Sequence, residues 1–542
     1  MMKRNKKVLA LIMAMLILFG AAMFFGCSDE TSPSDEPSDL NAPVADPIDD
    51  NYRTFYQIFV GSFSDSNGDG FGDIRGIINR IDYLNDGNVN SDTSLGVQGI
   101  WLSPIFSSPS YHKYDAKDYY KLDWRFGEEK DLKELIDLCH GRNVKIILDL
   151  AINHTSSQHE WFIQFKQARM EGNTSNPYYD FYSCVTTAEK VGGVSYQKIA
   201  GVDCWYECNF SGDMPELNFD NPKVKQAMLD VAKYYLDLGV DGFRFDAIKY
   251  IYYGNTPRSV EFWEWYMTEL KKIKPDIYCV GECWSGESEI LDYYGAMNCF
   301  NFAMSQAEGF AAKAAKGTSI ANFTNYVVSY QNKILAKNPN AMAMSFLSNH
   351  DMDRIAGAFV TENHTRMAAN LYLLSPGSPV IYYGEEIGMR GSRGAANTDA
   401  NRRLAMLWGD GDFVRDPIGT TYPKDKQIET TVMDQMADES SMYRYYCKLL
   451  SIRHRYPAIA RGTYATVTGN HKNLGGFVIE YEGESLLLLH NTSMEELTFD
   501  LSQCKGIGEH IFAKVCDAIG EGNAKLEGTV LTIGPQTSVI IK

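Results

Sequence analysis

Acidic side chains follow short apolar runs at three points along the sequence. Asp246 closes the run VDGFRFD, Glu282 closes IYCVGE, and Asp351 comes two residues after AMSFLSN. Singly, each could be a salt-bridge partner, a helix cap or a turn residue. At the carboxyl ends of parallel barrel strands, however, all three would meet at one mouth. Two carboxyl groups facing each other across a pocket can cleave a glycosidic bond, one of them ionised and the other protonated.

The neighbouring residues of two of these acids predict which one is ionised and which one is protonated. Arg244 and Asp246 lie two residues apart in GFRFDAIKY, so both point to the same side of a strand. A permanent cation there favours the ionised form of Asp246, as a nucleophile requires. Glu282 lies in GECW (281–284), among apolar and aromatic neighbours. Burial there would raise the pKa of Glu282 and favour the role of general acid.

Eight short apolar runs must position these residues, and helical stretches such as 128–142 and 221–239 separate most of them. This alternation predicts an α/β fold with a parallel sheet. A doubly wound sheet is disfavoured because no glycine-rich dinucleotide turn follows the first strand. The predicted strands are YQIFV (56–60), VQGIWL (97–102), VKIILDL (144–150), VDGFRFD (240–246), IYCVGE (277–282), CFNFAM (299–304), AMSFLSN (343–349) and PVIYYG (379–384).

The predicted architecture is a (β/α)₈ TIM barrel with a small insertion domain after strand three and a C-terminal antiparallel β-sandwich. The insertion follows from an interval after strand three that is too long for an ordinary loop. Alternating apolar and polar residues between turn signals predict the sandwich. The predicted limits are 51–154 and 217–455 for the barrel, 155–216 for the insertion domain and 456–542 for the sandwich.

The N-terminus predicts export and attachment to a membrane. Residues 1–26 are interpreted as a lipoprotein-type signal peptide, because a basic start and a continuous apolar run precede FFGC, which resembles a bacterial lipobox. Cys27 would then carry the lipid, although an uncleaved signal anchor remains the alternative. Residues 27–50 are acidic and rich in Pro and Ser, which predicts a disordered tether. We therefore expect an extracytoplasmic protein anchored at the cell membrane, facing the cell surface or the periplasm, or a secreted one.

Composition narrows the class of ligand. A net charge of −18 argues against a nucleic-acid partner, which would need a basic surface. The charge is compatible with a neutral ligand. Cys204 and Cys208, like Cys279 and Cys283, have a metal-like spacing, but no histidine lies nearby in the sequence. We therefore expect thiols or occasional disulfides at these positions, and no zinc.

Four stretches resemble, in order, the central motifs of the alpha-amylase family of glycoside hydrolases: DLAINH (149–154), GFRFDAIK (242–249), GECW (281–284) and FLSNHD (346–351). Three more resemble its supplementary motifs: GIWLSPIF (99–106), MPELN (214–218) and GSPVIYYGEEIGM (377–389). The likeness spans about residues 52–455. It implies a TIM-barrel catalytic domain, a C-terminal β-domain and cleavage with retention of anomeric configuration.

The resemblance also implies a role for individual residues. Asp246 would be the nucleophile, Glu282 the general acid and base, and Asp351 the group that grips substrate hydroxyls. Tyr114 would stack beneath the same sugar. Lys249 is a candidate contact on the leaving-group side, with a surface lysine as the alternative. The other side chains expected around that sugar are His112, His154, Arg244 and His350.

The loop DSNGDGFGD (65–73) predicts a calcium site. It places Asp65, Asn67, Asp69 and Asp73 at alternate positions, and such oxygen donors resemble the first part of a calcium loop. Gly76 stands where a full EF-hand would have its glutamate. Family members bind calcium at this loop, which implies the carbonyl of Phe71 as a further ligand. A polar turn is the alternative. A weaker second calcium site would use Asn153, although Tyr250 replaces the histidine that family members use there.

The motifs favour starch or maltodextrin as the substrate. MPELN resembles a group between oligo-1,6-glucosidases and neopullulanases, whereas Ala247 and Lys249 after the nucleophile resemble alpha-amylases. We therefore expect endo-acting, retaining hydrolysis of α-1,4-glucosidic bonds. The alternatives are an α-glucosidase, a neopullulanase or a glucan transferase with the same machinery. A starch-binding lipoprotein without turnover is a further alternative from another class.

Overall fold

The computed structural model describes residues 50–89 and 91–542. The predicted signal peptide, Cys27 and all but the last residue of the predicted tether lie outside the described residues. In the part of the chain that the structure describes, no helix has both the length and the apolar character needed to cross a bilayer. The ten cysteines of the described ranges are free thiols.

Eight parallel strands form one sheet that nearly closes into a barrel, which confirms the predicted fold. Neighbouring strands pair in chain order, and the eighth strand pairs with the first, with Phe55 opposite Val380. The Ser378 amide donates to the Ala343 carbonyl at 3.0 Å and thus links the start of the eighth strand to the seventh. In chain order the barrel strands are Phe55–Ile58, Gly99–Leu102, Lys145–Leu150, Gly242–Phe245, Tyr278–Gly281, Asn298–Asn301, Ala343–Ser345 and Val380–Tyr382.

Helices cover the outside of the barrel, and local sequence signals set their ends. Pro222–Leu238 begins after Asn221, whose side chain accepts from the Lys223 amide, and ends at Gly239 in the left-handed region with φ of 115°. Its buried side chains recur at helical spacing. Within the described ranges, the α-helices are Ile74–Asn79, Ile81–Leu84, Glu129–His140, Glu160–Glu171, Pro222–Leu238, Thr256–Ile273, Glu287–Tyr293, Phe310–Ala315, Ile320–Lys337, Glu362–Leu373, Val432–Ala437, Met442–Arg455 and Pro457–Arg461.

The barrel interior is filled by large apolar side chains from alternate strand positions. This core cluster contains Phe55, Trp101, Ile147, Tyr278, Val280, Phe300, Met344, Phe346, Met352 and Val380. Such layers close the barrel from below, so a ligand is confined to the mouth where the strands end.

Two insertions between barrel strands lie beside the mouth of the barrel. After the second barrel strand, Phe106–Ser107 pairs with Asp118–Leu122 as an antiparallel hairpin. After the third, a helix is followed by a three-stranded antiparallel sheet, whose strands are Cys184–Val185, Tyr196–Lys198 and Trp205–Glu207. The two ends of this second insertion are in contact, because the Leu217 amide donates to the Asn153 carbonyl at 2.8 Å.

The C-terminal region consists of two antiparallel sheets that share an apolar core. Leu489 and Val539 of the larger sheet and Leu531 of the smaller belong to one buried cluster. In sheet order, the larger sheet contains Thr463–Thr468, Leu474–Tyr481, Glu484–Asn491, Thr537–Ile541 and Val515–Gly520. The smaller contains Leu497–Asp500, Val530–Ile533 and Ala524–Glu527.

Candidate active site

The three predicted acids meet at the mouth of the barrel. Asp246 follows the fourth barrel strand, Glu282 the fifth, and Asp351 comes six residues after the seventh. All three line one cavity of about 720 Å³. The other residues that line it are Tyr111, His112, Tyr114, His154, Phe210, Ser211, Met214, Ala247, Trp284, Gln306, Met352, Arg393, Asn397, Thr398, Asp399, Arg402 and Arg403.

One buried arginine links the carboxyl groups. Arg244 Nη1 lies 2.6 Å from Asp246 Oδ1 and 2.8 Å from Asp149 Oδ1, and its Nη2 lies 2.9 Å from Glu282 Oε2. The Arg244 side chain is only 1% exposed, so water screens these contacts little. The expected pairing of Arg244 with Asp246 is thus present, but the same cation also contacts the carboxyl groups of Asp149 and Glu282. This sharing brings the carboxyls of Asp246 and Glu282 onto a single guanidinium.

Glu282 is held in its protonated form. Burial raises its pKa from 4.5 to about 8, with further upward contributions from Asp246, Asp351 and Asp149, and Arg244 opposes them. The Ala247 amide also donates to Glu282 Oε2 at 3.3 Å. A neutral carboxylic acid therefore faces the cavity at neutral pH, which is the state that proton donation requires.

Asp149 joins this cluster at the end of the third barrel strand, and the sequence interpretation assigned it no role. It is fully buried, and burial raises its pKa to about 6 against the opposing effect of Arg244. Its Oδ2 accepts from the Tyr114 hydroxyl at 2.8 Å and from Trp101 Nε1 at 3.2 Å. Asp149 thereby fixes both Arg244 and the Tyr114 ring. Its position in DLAINH, at the end of the third barrel strand, is the sequence signal that could have identified it.

Asp351 lies between two cationic or hydrogen-bonding neighbours. His350 Nε2 is 2.8 Å from Asp351 Oδ2, and Arg403 Nη2 is 2.8 Å from Asp351 Oδ1. Burial alone would raise the pKa of Asp351, but His350, Arg403 and Arg244 bring it well below its usual range. Arg403 also donates to the His350 carbonyl at 2.9 Å. Sequence interpretation missed Arg403, which comes from a loop beyond the eighth strand without a periodic pattern.

Tyr114, His112 and His154 line the cavity, and His350 packs against the Tyr114 ring. The rings of Tyr114 and His350 stack at 5.5 Å with planes 7° apart. The Tyr114 hydroxyl lies 2.6 Å from His350 Nε2. His154 Nε2 lies 3.2 Å from the Tyr114 carbonyl oxygen. Burial lowers the pKa of His112 to about 4 and also lowers that of His154. Both imidazoles are therefore neutral at pH 7 and suited to hydrogen bonding with hydroxyl groups.

Three of the predicted sugar contacts do not line the cavity. Among the described residues, the cavity lining excludes Arg244, His350 and Lys249. Lys249 Nζ donates to the Trp284 carbonyl at 2.8 Å. Trp284 itself lines the cavity and stacks on Phe302 at 5.4 Å. Lys249 therefore supports the segment that carries Trp284.

The predicted calcium loop has donor chemistry that fits a hard cation. Asp65 Oδ1 accepts from the amides of Asn67 and Gly68, and Asp69 Oδ1 accepts from the Phe71 amide. Asp69 Oδ1 keeps a second lone pair, whereas Asp65 Oδ1 already accepts two hydrogen bonds. Asp73 caps the helix Ile74–Asn79. Within residues 50–89 and 91–542, no three His, Cys, Asp or Glu side chains are grouped so that they could hold a metal ion.

Asn153 is the residue of the predicted second calcium site, and Tyr250 replaces the histidine expected there. Asn153 Nδ2 donates to Glu216 Oε2 at 3.3 Å, and Asn153 Oδ1 is buried with no hydrogen-bond partner. Burial raises the pKa of Glu216 well above its ordinary value. The Tyr250 ring packs against Phe210, at 4.6 Å between centroids.

Known proteins share both the sequence and this architecture. Residues 57–462 match the family described as alpha amylase, catalytic domain. Alpha-amylase 3 of Dictyoglomus thermophilum is 34% identical, over 86% of this chain and 89% of its own. A 4-alpha-glucanotransferase of Thermotoga neapolitana is 30% identical, over 79% of this chain and 92% of its own. The solved structure of Eubacterium rectale Amy13B superposes with a TM-score of 0.83 at 33% identity, covering 93% of this chain and 99% of that one.

The family match covers most of the chain, and the barrel with its C-terminal sheets agrees with it. The carboxyl groups meet in a cavity at the carboxyl ends of the barrel strands, where enzymes of this architecture place their chemistry. The chain therefore belongs to the alpha-amylase family and is a glycoside hydrolase or transferase of that family.

Proposed function

We propose that the protein is a retaining, endo-acting hydrolase of α-1,4-glucosidic bonds in starch and maltodextrin. One observation carries the proposal: Arg244 bonds both Asp246 and Glu282 while Glu282 is held protonated. The carboxyl groups of Asp246 and Glu282 thus lie together in one cavity, with Glu282 as the proton donor. A shared guanidinium favours the short separation, roughly 5 Å, of a retaining pair over the wider spacing of an inverting one.

The first step forms a covalent sugar on the enzyme. An Asp246 carboxylate oxygen attacks the anomeric carbon and the bond to the leaving oxygen breaks. Glu282 gives its proton to that oxygen. Asp351, kept ionised by Arg403 and His350, accepts hydrogen bonds from sugar hydroxyls. Tyr114 offers its ring face to the sugar, and Asp149 holds that ring in place.

The second step returns both acids to their starting states. The Glu282 carboxylate takes a proton from water, whose oxygen attacks the anomeric carbon. The bond to Asp246 then breaks, and the product keeps the anomeric configuration of the substrate after two inversions.

Product analysis on soluble starch tests the proposal. We expect an early mixture of maltooligosaccharides of several lengths, and no turnover by Asp246→Asn. Glucose as the first product would instead indicate an α-glucosidase. Activity confined to pullulan or isomaltose would indicate a neopullulanase or a 1,6-glucosidase. Binding of starch without products would indicate a non-catalytic protein.

A glucan transferase is the second candidate, favoured by the similarity to the glucanotransferase of Thermotoga neapolitana. In transfer, the hydroxyl of another sugar replaces water in the second step. Incubation with maltotriose separates the two activities. Hydrolysis gives only shorter sugars and one new reducing end for each cleavage. Transfer gives maltooligosaccharides longer than three units without new reducing ends.

Calcium binding at Asp65, Asn67, Asp69, Asp73 and the Phe71 carbonyl is part of the proposal. Four side chains with oxygen donors within nine residues support it. When bound, the cation would brace this loop and the helix that Asp73 caps. Chelator treatment should lower the thermal midpoint, and added calcium should restore it. Asp69→Ala should remove the response to calcium.

Export with a lipid on Cys27 completes the proposal, and the sequence around FFGC is its support. Expression in a bacterial host with a labelled fatty acid should label the wild-type protein. The Cys27→Ala variant should carry no label and should leave the membrane fraction. Equal membrane attachment of both proteins would favour the uncleaved signal anchor.

A further inference from the structure

Two cysteines of the insertion lie side by side at one end of its antiparallel sheet. The strand Cys184–Val185 pairs with Trp205–Glu207 so that Cys184 is opposite Tyr206. Cys204 precedes Tyr206 by two residues, so its side chain points to the same face of the sheet. The thiols of Cys184 and Cys204 form a side-chain hydrogen bond with each other. Their two sulfur atoms are therefore in contact.

Further contacts hold the two segments in register around the thiols. The Thr187 amide donates to Asp203 Oδ1 at 3.1 Å, and Trp205 Nε1 donates to Thr187 Oγ1 at 2.9 Å. On the other face, the Tyr206 ring packs against that of Phe162 in the preceding helix, at 4.9 Å between centroids. The thiol pair therefore lies between two sets of contacts that fix its neighbours.

The two thiols differ in exposure and in acidity. Cys184 lies on an edge strand and is partly exposed, whereas Cys204 is only 7% exposed. The hydrogen bond with Cys184 lowers the pKa of Cys204, and the positive charge of Arg169 lowers it further against the effect of burial. The same hydrogen bond raises the pKa of Cys184. Cys204 is therefore the first of the pair to ionise, and a thiolate is the form that takes part in disulfide exchange.

Cys208 is a nearby thiol with a different environment. It is buried, and burial together with the charges of Glu216 and Glu207 raises its pKa to about 11. Carboxylate neighbours and burial both oppose the thiolate form. Cys208 is therefore suited to serve as a control for the pair.

The chain between the two thiols depends on few buried contacts. None of the side chains of residues 183–198 is buried, and burial resumes at Ile199. Segments with so little burial open at a low cost in free energy. The same insertion supplies Phe210, Ser211 and Met214 to the lining of the cavity. A covalent link across its sheet would therefore stabilise one wall of the active site.

We propose that Cys184 and Cys204 are an oxidisable thiol pair that closes into a disulfide and stabilises the insertion. One of the two thiolates attacks a small-molecule disulfide, such as oxidised glutathione, which gives a mixed disulfide and releases one small thiolate. The other cysteine then attacks the protein sulfur of the mixed disulfide and releases the second small thiolate. The protein thiols are oxidised, the small disulfide is reduced, and its two thiolates take up the two protons. The inference is independent of the sugar chemistry, and the proposed export would supply the oxidising surroundings.

Peptide mapping of the full-length protein tests the pair. The protein is incubated with oxidised glutathione or with dithiothreitol, free thiols are alkylated in denaturant, and trypsin digestion follows without reduction. Cys184 falls in the tryptic peptide 170–190, and Cys204 and Cys208 fall together in the peptide 199–223. After oxidation we expect these two peptides to be joined through Cys204, with Cys208 alkylated. After dithiothreitol they should be separate.

Two variants and a stability measurement complete the test. In scanning calorimetry, the thermal midpoint of the oxidised wild type should lie about 3–6 °C above that of the reduced protein. Cys208→Ser should keep both the link and this difference. Cys204→Ser should lose both.

Several outcomes would overturn the inference. Alkylation of both Cys184 and Cys204 after oxidation, a bond to Cys208, or a glutathione adduct that persists on either thiol would each contradict a disulfide pair. A link that leaves the thermal midpoint unchanged would rule out the stabilising role. Starch hydrolysis enters none of these readouts, so failure of the proposed function would leave the test of the pair intact.

Discussion

Replacing Glu282 with glutamine isolates the energetic effect of keeping this acid protonated. Glutamine has nearly the shape of protonated glutamate but carries no charge at any pH. In the folded protein, burial and three neighbouring carboxylates raise the pKa of Glu282 from 4.5 to about 8. In the unfolded chain the ordinary value applies. Between these two values the folded state therefore holds a proton that the unfolded state releases.

The sign of the effect follows from that difference. The wild type loses stability as the pH rises through this window, and the loss is complete above the folded-state pKa. At pH 7, holding Glu282 protonated costs at most about 3 kcal/mol. The pKa of about 8 already includes the opposing effect of Arg244, and we expect Glu282→Gln to be more stable by about 1–3 kcal/mol. At pH 4.5 the two proteins should have nearly equal stability.

Scanning calorimetry from pH 4.5 to 8.5 measures this difference. For a chain of this size, about 1 kcal/mol corresponds to a shift of roughly 1–2 °C in Tm. We expect Glu282→Gln to gain a few degrees at pH 7 and almost nothing at pH 4.5, while hydrolysis is lost. Glu496→Gln, on an exposed side chain, is the matched control and should show no trend. A gain independent of pH, or a less stable Glu282→Gln, would refute the reasoning.

Three further predictions concern the charges around the site. Arg244→Met should lower the free energy of unfolding by about 3–5 kcal/mol in urea titrations, because Asp149, Asp246 and Glu282 lose their shared cation; an unchanged midpoint would contradict this. Arg403→Gln removes the 2.8 Å contact to Asp351 and should lower kcat/KM on maltoheptaose about tenfold with an unchanged circular dichroism spectrum; wild-type kinetics would argue against a role for Arg403. The wild-type kcat/KM should fall about tenfold per pH unit above roughly pH 8, as Glu282 loses its proton, and a profile flat to pH 9.5 would exclude Glu282 as the acid.

The barrel and its three acids were predictable because each depends on a short local pattern. Short apolar runs predict the strands. A polar residue that directly follows a barrel strand lies at the mouth of the barrel, and this does not depend on distant parts of the sequence. Arg244 and Asp246 lie two residues apart where the fourth strand ends, so their contact also follows from the local sequence. For the same reason the predicted rise in the pKa of Glu282, from its apolar neighbours in GECW, agrees with its burial in the folded protein.

The residues that the sequence did not reveal are those whose partners are distant along the chain. Arg403 reaches Asp351 across 52 positions from a loop without regular periodicity. Asp149 accepts a hydrogen bond from Arg244, which lies 95 positions later in the chain. Phe210 of the insertion packs against Tyr250, which follows the fourth barrel strand and stacks on Tyr253. Loop conformation decides these contacts, and single-sequence patterns carry little information about it.

The central claim is that Asp246 attacks the sugar while Glu282 supplies the proton, which makes the reaction a double displacement. Proton NMR of maltoheptaose during the first minutes of hydrolysis tests it most directly. The new reducing ends should appear as the α-anomer and convert to the equilibrium mixture only later. New reducing ends that appear first as the β-anomer would mean single displacement, and the assignment of Asp246 as nucleophile would then be wrong.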